Sequence, residues 1–182
     1  MTERIIQAKL TRAGLRAAFA ANNAGLQLAL SHIGLGTARG AGYAPTGAET
    51  ALQTEFVRVA IGGGEYLGDF EIALQALFDD ASAGWIGEIG VYTDAGVLFA
   101  VWSEVGAPLA YKSASVPFVL AMTLAMTDLP AGSVSFVVGA PSVNIMLGEP
   151  LTMLATELIR LQRKSIELSV NALQPALANL GY

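Results

Sequence analysis

The chain holds one histidine, His32, and no cysteine. A Ser-His-Asp relay would need that imidazole between a serine hydroxyl and a carboxylate. Nothing local supports one, so His32 reads as a structural residue in or beside an apolar strand. Without cysteine there is neither a disulfide nor a thiolate zinc site. Gly34-Leu35-Gly36-Thr37-Ala38-Arg39-Gly40 superficially follows a dinucleotide loop. Its last glycine falls one position late for GxGxxG and no helical segment follows, which makes it a turn-rich loop after a strand. Asp79-Asp80, Glu65 and Asp69 stand beside turns without the ordered ligand spacing and glycine of an EF-hand, and read as solvated carboxylates. Trp85, Tyr92, Trp102 and Tyr111 carry amphipathic rings of the kind that line sugar sites, but their placement on a hairpin favours packing in a core or between subunits. Arg160, Arg163 and Lys164 have Glu157 and Glu167 within one helical turn, the pattern of a solvated helix face. No residue set forms a catalytic constellation, so neither enzyme activity nor a metal or cofactor is expected.

The elements that carry these residues are mostly short strands. Thr11 is placed to cap a helix in which Leu15, Ala18 and Phe19 fall at helical spacing, and Asn22-Asn23-Ala24-Gly25 ends it. Leu26, Leu28 and Leu30 alternate as a strand, followed by a glycine-rich loop from Gly34 to Gly47. Phe56 to Ile61 and Phe70 to Phe78 are further strands, with Phe70, Ile72, Leu74, Ala76 and Phe78 on one face. Gly62-Gly63-Gly64 between them reads as a turn or flexible loop. Residues 85 to 102 form a hairpin. Trp85, Ile89 and Val91 mark its buried face, Thr93-Asp94-Ala95-Gly96 is the turn, and Val97 to Trp102 returns. Ser115 to Thr127 and Ser133 to Val138 then flank the turn Asp128-Leu129-Pro130-Ala131-Gly132.

Hydrophobic residues make up 53% of the 182 and charged residues 14%, against about 25% charged in ordinary globular chains. The mean hydropathy is +0.52. The longest nearly apolar run, Val116 to Met126, is far short of the ~20 residues of a spanning helix, so no membrane insertion is expected. It reads as a strand buried on both faces or as a subunit interface. The excess apolarity points to an obligate oligomer, whose interfaces resemble a core cut in half. A net charge of −5 disfavours a nucleic-acid partner. Met1-Thr2-Glu3-Arg4 shows no export signal.

After Gly148-Glu149-Pro150 the composition turns helical. Leu151, Leu154, Leu158 and Leu161 recur at heptad spacing, as do Ile166, Val170, Leu173, Leu177 and Leu180, with the two stripes offset by one residue and Pro175 interrupting. This segment is expected either to lie on its own domain or to form an inter-chain contact through Leu158, Leu161, Ile166 and Leu173. The expected fold is α+β: a small domain rich in antiparallel strands over residues 1–147 with an N-terminal helix, then a C-terminal helical segment over 148–182.

Glu88, Gly90, Tyr92, Asp94, Gly96 and Leu98 form the pattern E-x-G-x-Y-x-D-x-G-x-L behind Trp85. With Thr11-Arg12-Ala13-Gly14-Leu15, the strand from Leu26 to Gly36, Thr50-Ala51-Leu52-Gln53-Thr54-Glu55 and Tyr111-Lys112 in order, it resembles the N-terminal domain of phage tail-collar fibre proteins. That resemblance implies a structural virion protein of a phage or prophage tail, assembled in the host cytoplasm, whose body attaches to the baseplate. The absence of a long shaft before Tyr182 implies a short adaptor between baseplate and tail fibre. Fibre resemblance also implies a homotrimer. The alternatives are a module that binds host glycans and, last, a glycan-degrading tail enzyme.

Overall fold

The structure, a computed structural model, describes residues 6–106 and 108–139. Among these residues strand accounts for 45% and helix for 11%, with a single α-helix. The expected α+β class is corrected to mostly β. Between Phe56 and Val138 the apolar residues alternate or run continuously without a helical stripe, and those patterns settle into strands. The helical segment expected over 148–182, with Leu158, Leu161, Ile166 and Leu173, lies outside the described residues.

The first strand, β1 (Lys9–Leu10), runs into α1 (Arg12–Asn23). Thr11 caps α1 as expected: its backbone is extended, its hydroxyl oxygen accepts from Gly14 N at 2.9 Å, and its hydroxyl donates to Leu98 O. A Cβ at Gly14 would lie 2.6 Å from Phe99 O and 2.7 Å from Phe99 Cα. Only glycine lets the first helical turn approach that strand so closely. Ala18 is buried on the packed side, whereas Phe19 stays exposed.

Six strands make the principal sheet. β2 (Leu28–Gly36) pairs along one edge with β7 (Glu88–Thr93), which pairs with β8 (Leu98–Ser103), which takes β1 on its far edge. The other edge of β2 is shared end to end, its first half pairing in parallel with β11 (Val134–Phe136) and its second half antiparallel with β3 (Glu55–Ala60). A second sheet has the order β10 (Phe118–Ala125), β5 (Glu71–Phe78), β4 (Gly63–Gly68), all antiparallel. A two-stranded ribbon joins β6 (Gly84–Ile86) to β9 (Ala110–Lys112).

One core unites these pieces. Leu30, Ile33 and Leu35 from β2 meet Ile72, Leu74, Ala76 and Phe78 from β5, and Leu120, Met122 and Leu124 from β10. The row predicted on β5 is therefore buried, apart from Phe70, which precedes the strand and is 43% exposed. The hairpin of β7 and β8 is buried on both faces. Ile89, Val91 and Phe99 enter the main core, while Tyr92, Leu98 and Val101 form a second cluster with Leu52 and Tyr43, because residues 37–54 fold over the outer side. Gly96 sits in its turn at φ +78°, a conformation only glycine adopts cheaply.

Four sequence expectations change. Trp85 is 57% exposed, not buried. The chain leaves the principal sheet at Gly87, so Trp85 belongs to the β6–β9 ribbon and its parity with Ile89 and Val91 carries no facing information. Gly63 and Gly64 open β4 instead of forming a turn. Residues 128–132 turn the chain between two sheets, since β10 pairs with β5 and β11 with β2. β10 buries one face only: Leu120, Met122 and Leu124 point inward, while Val119, Ala121, Thr123 and Ala125 are exposed. No helix among the described residues is long and apolar enough to cross a membrane.

Candidate interaction site

The hairpin and the residues around it carry the densest polar network. Glu88 opens β7 fully buried. Its Oε1 accepts from Thr54 N at 2.7 Å and Ala38 N at 3.2 Å, and its Oε2 accepts from Gln53 N at 2.9 Å and the Tyr43 hydroxyl at 3.0 Å. One side chain thus satisfies three backbone donors and a phenol from a loop that has no sheet to join, which is the condition for burying it. Burial first, then the neighbouring Glu88 carboxyl, push the Tyr43 hydroxyl well above the usual phenol range.

Four residues further along β7, Tyr92 donates to Glu55 Oε2 at 2.6 Å. Glu55 also takes a two-pronged contact from Arg58, Nε to Oε1 at 2.7 Å and a second guanidinium nitrogen to Oε2 at 2.8 Å. The Arg58 guanidinium lies 3.5 Å from the centroid of the Tyr92 ring, a cation–π contact. Burial raises the Glu55 carboxyl, yet the bonds from Arg58 and Tyr92 outweigh it and hold the group below the ordinary carboxylate range. Burial and then Glu55 raise Tyr92 in turn. At Gly90, between Glu88 and Tyr92, a Cβ would meet Leu98 Cδ1 at 2.9 Å and Leu52 Cδ2 at 3.1 Å. The segment Thr50 to Glu55 and the hairpin therefore lock into each other by two carboxylates and one apolar contact.

The ribbon has its own anchor. Lys112 is wholly buried, and its Nζ donates to Asp80 O at 2.8 Å and Ser82 O at 2.7 Å, with Asp80 Oδ1 at 3.0 Å. The hydrogen bond from Ser82, followed by that from Lys112, holds the Asp80 carboxyl low despite some desolvation. Lys112 pins the 80–82 loop to β9, and its neighbour Tyr111 points the other way. Tyr111 (53% exposed) and Trp85 (57% exposed) are cross-strand partners whose rings meet edge to face, 5.2 Å between centroids. Beside Trp85 lies a hollow of about 220 Å³ lined by Thr37, Gly40, Gly42, Trp85, Gly87 and Pro108. Between the lining residues Thr37 and Gly40, Ala38 and Arg39 are both at positive φ (47° and 53°), a conformation that non-glycine residues adopt only when the surrounding structure enforces it. Here the bond from Ala38 N to Glu88 enforces it.

His32 is exposed and bonds Ser31 Oγ at 2.8 Å, with no acidic partner among the described residues. The acidic residues Glu65, Asp69, Asp79 and Asp80 do not converge, and among the described residues no group of three or more ligating side chains could hold a metal ion. Of the four aromatic residues, Tyr92 and Trp102 are buried, and only Trp85 and Tyr111 come together at the surface. Leu158, Leu161, Ile166 and Leu173 lie outside the described residues, as do Arg160, Arg163 and Lys164. Sequence reasoning missed Glu88 and Lys112 as buried anchors. Their signal was a lone charge inside an apolar strand, at Ile86-Gly87-Glu88-Ile89 and beside Tyr111.

Every element of the resembling pattern has a place in this framework: Thr11 and Gly14 at the helix start, Leu52 and Glu55 in the lock, Glu88 through Leu98 in the hairpin, Tyr111 and Lys112 in the ribbon. No curated protein and no solved structure matches the chain. Residues 1–126 match the family model of the phage tail-collar fibre protein, N-terminal domain, and the chain accordingly belongs to that family of structural phage-tail proteins.

Proposed function

We propose that the protein is a short collar or fibre adaptor that attaches a tail fibre to the baseplate, and that the Trp85–Tyr111 pair is its attachment contact. The observation that carries this reading is the contrast within the ribbon. Lys112 fixes the ribbon internally, while the adjacent Tyr111 and its partner Trp85 pack edge to face and are left exposed. Rigid, exposed aromatic side chains lose little entropy on docking and dominate the energetics of protein interfaces. The hollow beside Trp85 would accept one apolar side chain of the partner. Residues 148–182 complete the proposal as a contact with sibling subunits, as a homotrimer, or with the next fibre protein, through Leu158, Leu161, Ile166 and Leu173.

Particles assembled with Trp85→Ala and Tyr111→Ala together should lose this protein from the baseplate while the purified variant stays folded. A chain ending at residue 147 should still dock yet lose fibre recruitment. Normal incorporation of the double variant would refute the attachment role.

A second reading has one observation in its favour: an exposed Trp and Tyr beside a hollow also suit stacking on a sugar ring. Binding of the purified protein to host glycans, abolished by Trp85→Ala, would favour that reading over the adaptor.

A further inference from the structure

Between Thr37 and Ala48 the chain carries a single charge, Arg39. It stands between Thr37 and Gly40, two of the residues that line the hollow beside Trp85. Successive Cα atoms are about 3.8 Å apart, so the arginine backbone is one step from the hollow's wall. Arg39 is exposed, and its backbone N–H donates to Thr54 Oγ1 at 3.3 Å. Its guanidinium makes no ion pair and no hydrogen bond among the described residues. Other cations are engaged or stand elsewhere. Arg58 bonds Glu55, Lys112 bonds Asp80, Lys9 bonds Pro45 O, and Arg12 and Arg16 belong to α1. Arg39 also holds a costly backbone, at φ 53° and ψ 24°. Ala38, in the same conformation, has an internal reason in its bond to Glu88. The Arg39 side chain has none, although glycine would take this conformation freely and asparagine at little cost. A strained residue whose side chain bonds nothing within the described fold points outward for its purpose.

We infer that Arg39 sets the charge of what docks beside Trp85: a protein segment whose apolar side chain enters the hollow and whose neighbouring carboxylate takes the Arg39 guanidinium. The inference rests on the attachment role proposed for Trp85 and Tyr111. With Arg39 the surface offers tryptophan, tyrosine and arginine, the three residue types that dominate interface energetics. The planar guanidinium fork matches a carboxylate in two parallel bonds. No carboxylate belongs to the hollow itself, whose lining of Thr37, Gly40, Gly42, Trp85, Gly87 and Pro108 is uncharged. The chain as a whole carries a net charge of −5. A lone cation on such a surface gives an acidic partner one place where it is attracted, and so fixes where and how it docks. A sugar is a poorer occupant. The Thr37 hydroxyl and the Trp85 indole N–H are the only polar side-chain groups in the lining, so most sugar hydroxyls would enter without a partner.

Tail particles lacking this protein, with the purified full chain added back, provide the test. Wild-type uptake should slow as salt rises, because an exposed charge pair is screened. Arg39→Lys should keep most of the uptake rate. Arg39→Gly and Arg39→Asn should melt at or above wild type, since either residue relieves the strain, yet be taken up roughly tenfold more slowly or worse and with a weaker salt dependence. Arg39→Glu should be slower still. A stabilised chain that assembles less well is the outcome that a purely structural Arg39 would not produce. If Arg39→Gly and Arg39→Glu are taken up like wild type while the Trp85→Ala, Tyr111→Ala double variant is not, the attachment role stands and this inference falls. If the double variant is itself taken up normally, both fall together. Retention of the wild-type chain, but not of Arg39→Glu, on immobilised alginate would assign the arginine to an acidic glycan and overturn the protein partner.

Discussion

Replacing Glu88 tests whether one buried carboxyl organises the loop over residues 37–54. Glu88→Ala removes the acceptor of four donors: Ala38 N, Gln53 N, Thr54 N and the Tyr43 hydroxyl. A buried donor left without a partner costs about 1–3 kcal/mol. Ala38 is buried and bears the full cost, whereas Gln53 and Thr54 are exposed and Tyr43 is half-buried, so water reaches the other three and takes up part of theirs. The sum is about 3–5 kcal/mol, the upper end of what single substitutions cause. Glu88→Gln keeps the volume and one carbonyl oxygen. Its amide can donate to the Tyr43 oxygen, which leaves the Gln53 amide as the single clear loss, at about 1–3 kcal/mol. Urea denaturation gives the order, and exchange of the 53 and 54 amides locates the effect. Ultraviolet titration adds an independent readout, because removing the carboxyl should bring Tyr43 down toward the ordinary phenol range. An Ala variant within about 0.5 kcal/mol of wild type, with amides 53 and 54 still protected, refutes the argument.

Trp85→Ala should cost about 0.5–1.5 kcal/mol, the worth of its edge-to-face contact with Tyr111, whereas Phe99→Ala in the core should cost about 3–5 kcal/mol; paired thermal and urea melts decide, and equal costs would place Trp85 in the core after all. Lys112→Met keeps the aliphatic stem but leaves Asp80 O and Ser82 O unbonded, so stability should fall by about 2–3 kcal/mol, with faster exchange confined to residues near 80–85 and 110–112. Tyr43 and Tyr92 both titrate higher in the folded chain than in the unfolded one. The stability they contribute is fully present below about pH 10, the unfolded value, and declines as pH rises beyond it. Tyr92→Phe should flatten that alkaline decline in pH-dependent urea melts. Glu55 behaves oppositely: its folded value is depressed, so its contribution is present above about pH 4.3 and is lost as pH falls through the folded value.

Where local pattern decides, the sequence was legible. Thr11 caps α1, Leu28 and Leu30 of β2 and Ile72 to Phe78 of β5 face inward while Leu26 and Phe70, each just before its strand, stay exposed, and the hairpin turns at Gly96 as its residues predict, since capping, alternation and positive φ are local requirements. Trp85 went astray because alternation is meaningful only while a strand stays in one sheet, and Gly87 takes the chain out of it. β4 was invisible for a related reason. Its glycines have no strand preference of their own, and its order is supplied by β5 across the register from Gly63 to Gln75. The turn at 128–132 had the proline and glycine of a hairpin, but turn chemistry bends a chain without choosing which strand it joins next. Glu88 and Lys112 could be seen as odd charges, yet their partners lie about 30 to 50 residues away, beyond any local rule.

This division bears on where the attachment specificity resides. In the pattern shared with tail-collar fibre proteins, Thr11, Leu52, Glu88, Leu98 and Lys112 are buried, Gly14 and Gly90 permit close contacts, and Gly96 holds a turn. These positions explain how the body folds, and a residue spent on an internal bond cannot also recognise a partner. Tyr111, like Asp94 of the turn, is exposed within the pattern, and it is backed by the buried Lys112. Its ring partner Trp85 is exposed on the neighbouring strand β6. Substitution of the internal set should therefore lower assembly in proportion to lost stability. Substitution of Trp85 should lower assembly by more than its loss of about 0.5–1.5 kcal/mol of stability explains, because the proposed contact with another chain adds to the one Trp85 makes with Tyr111.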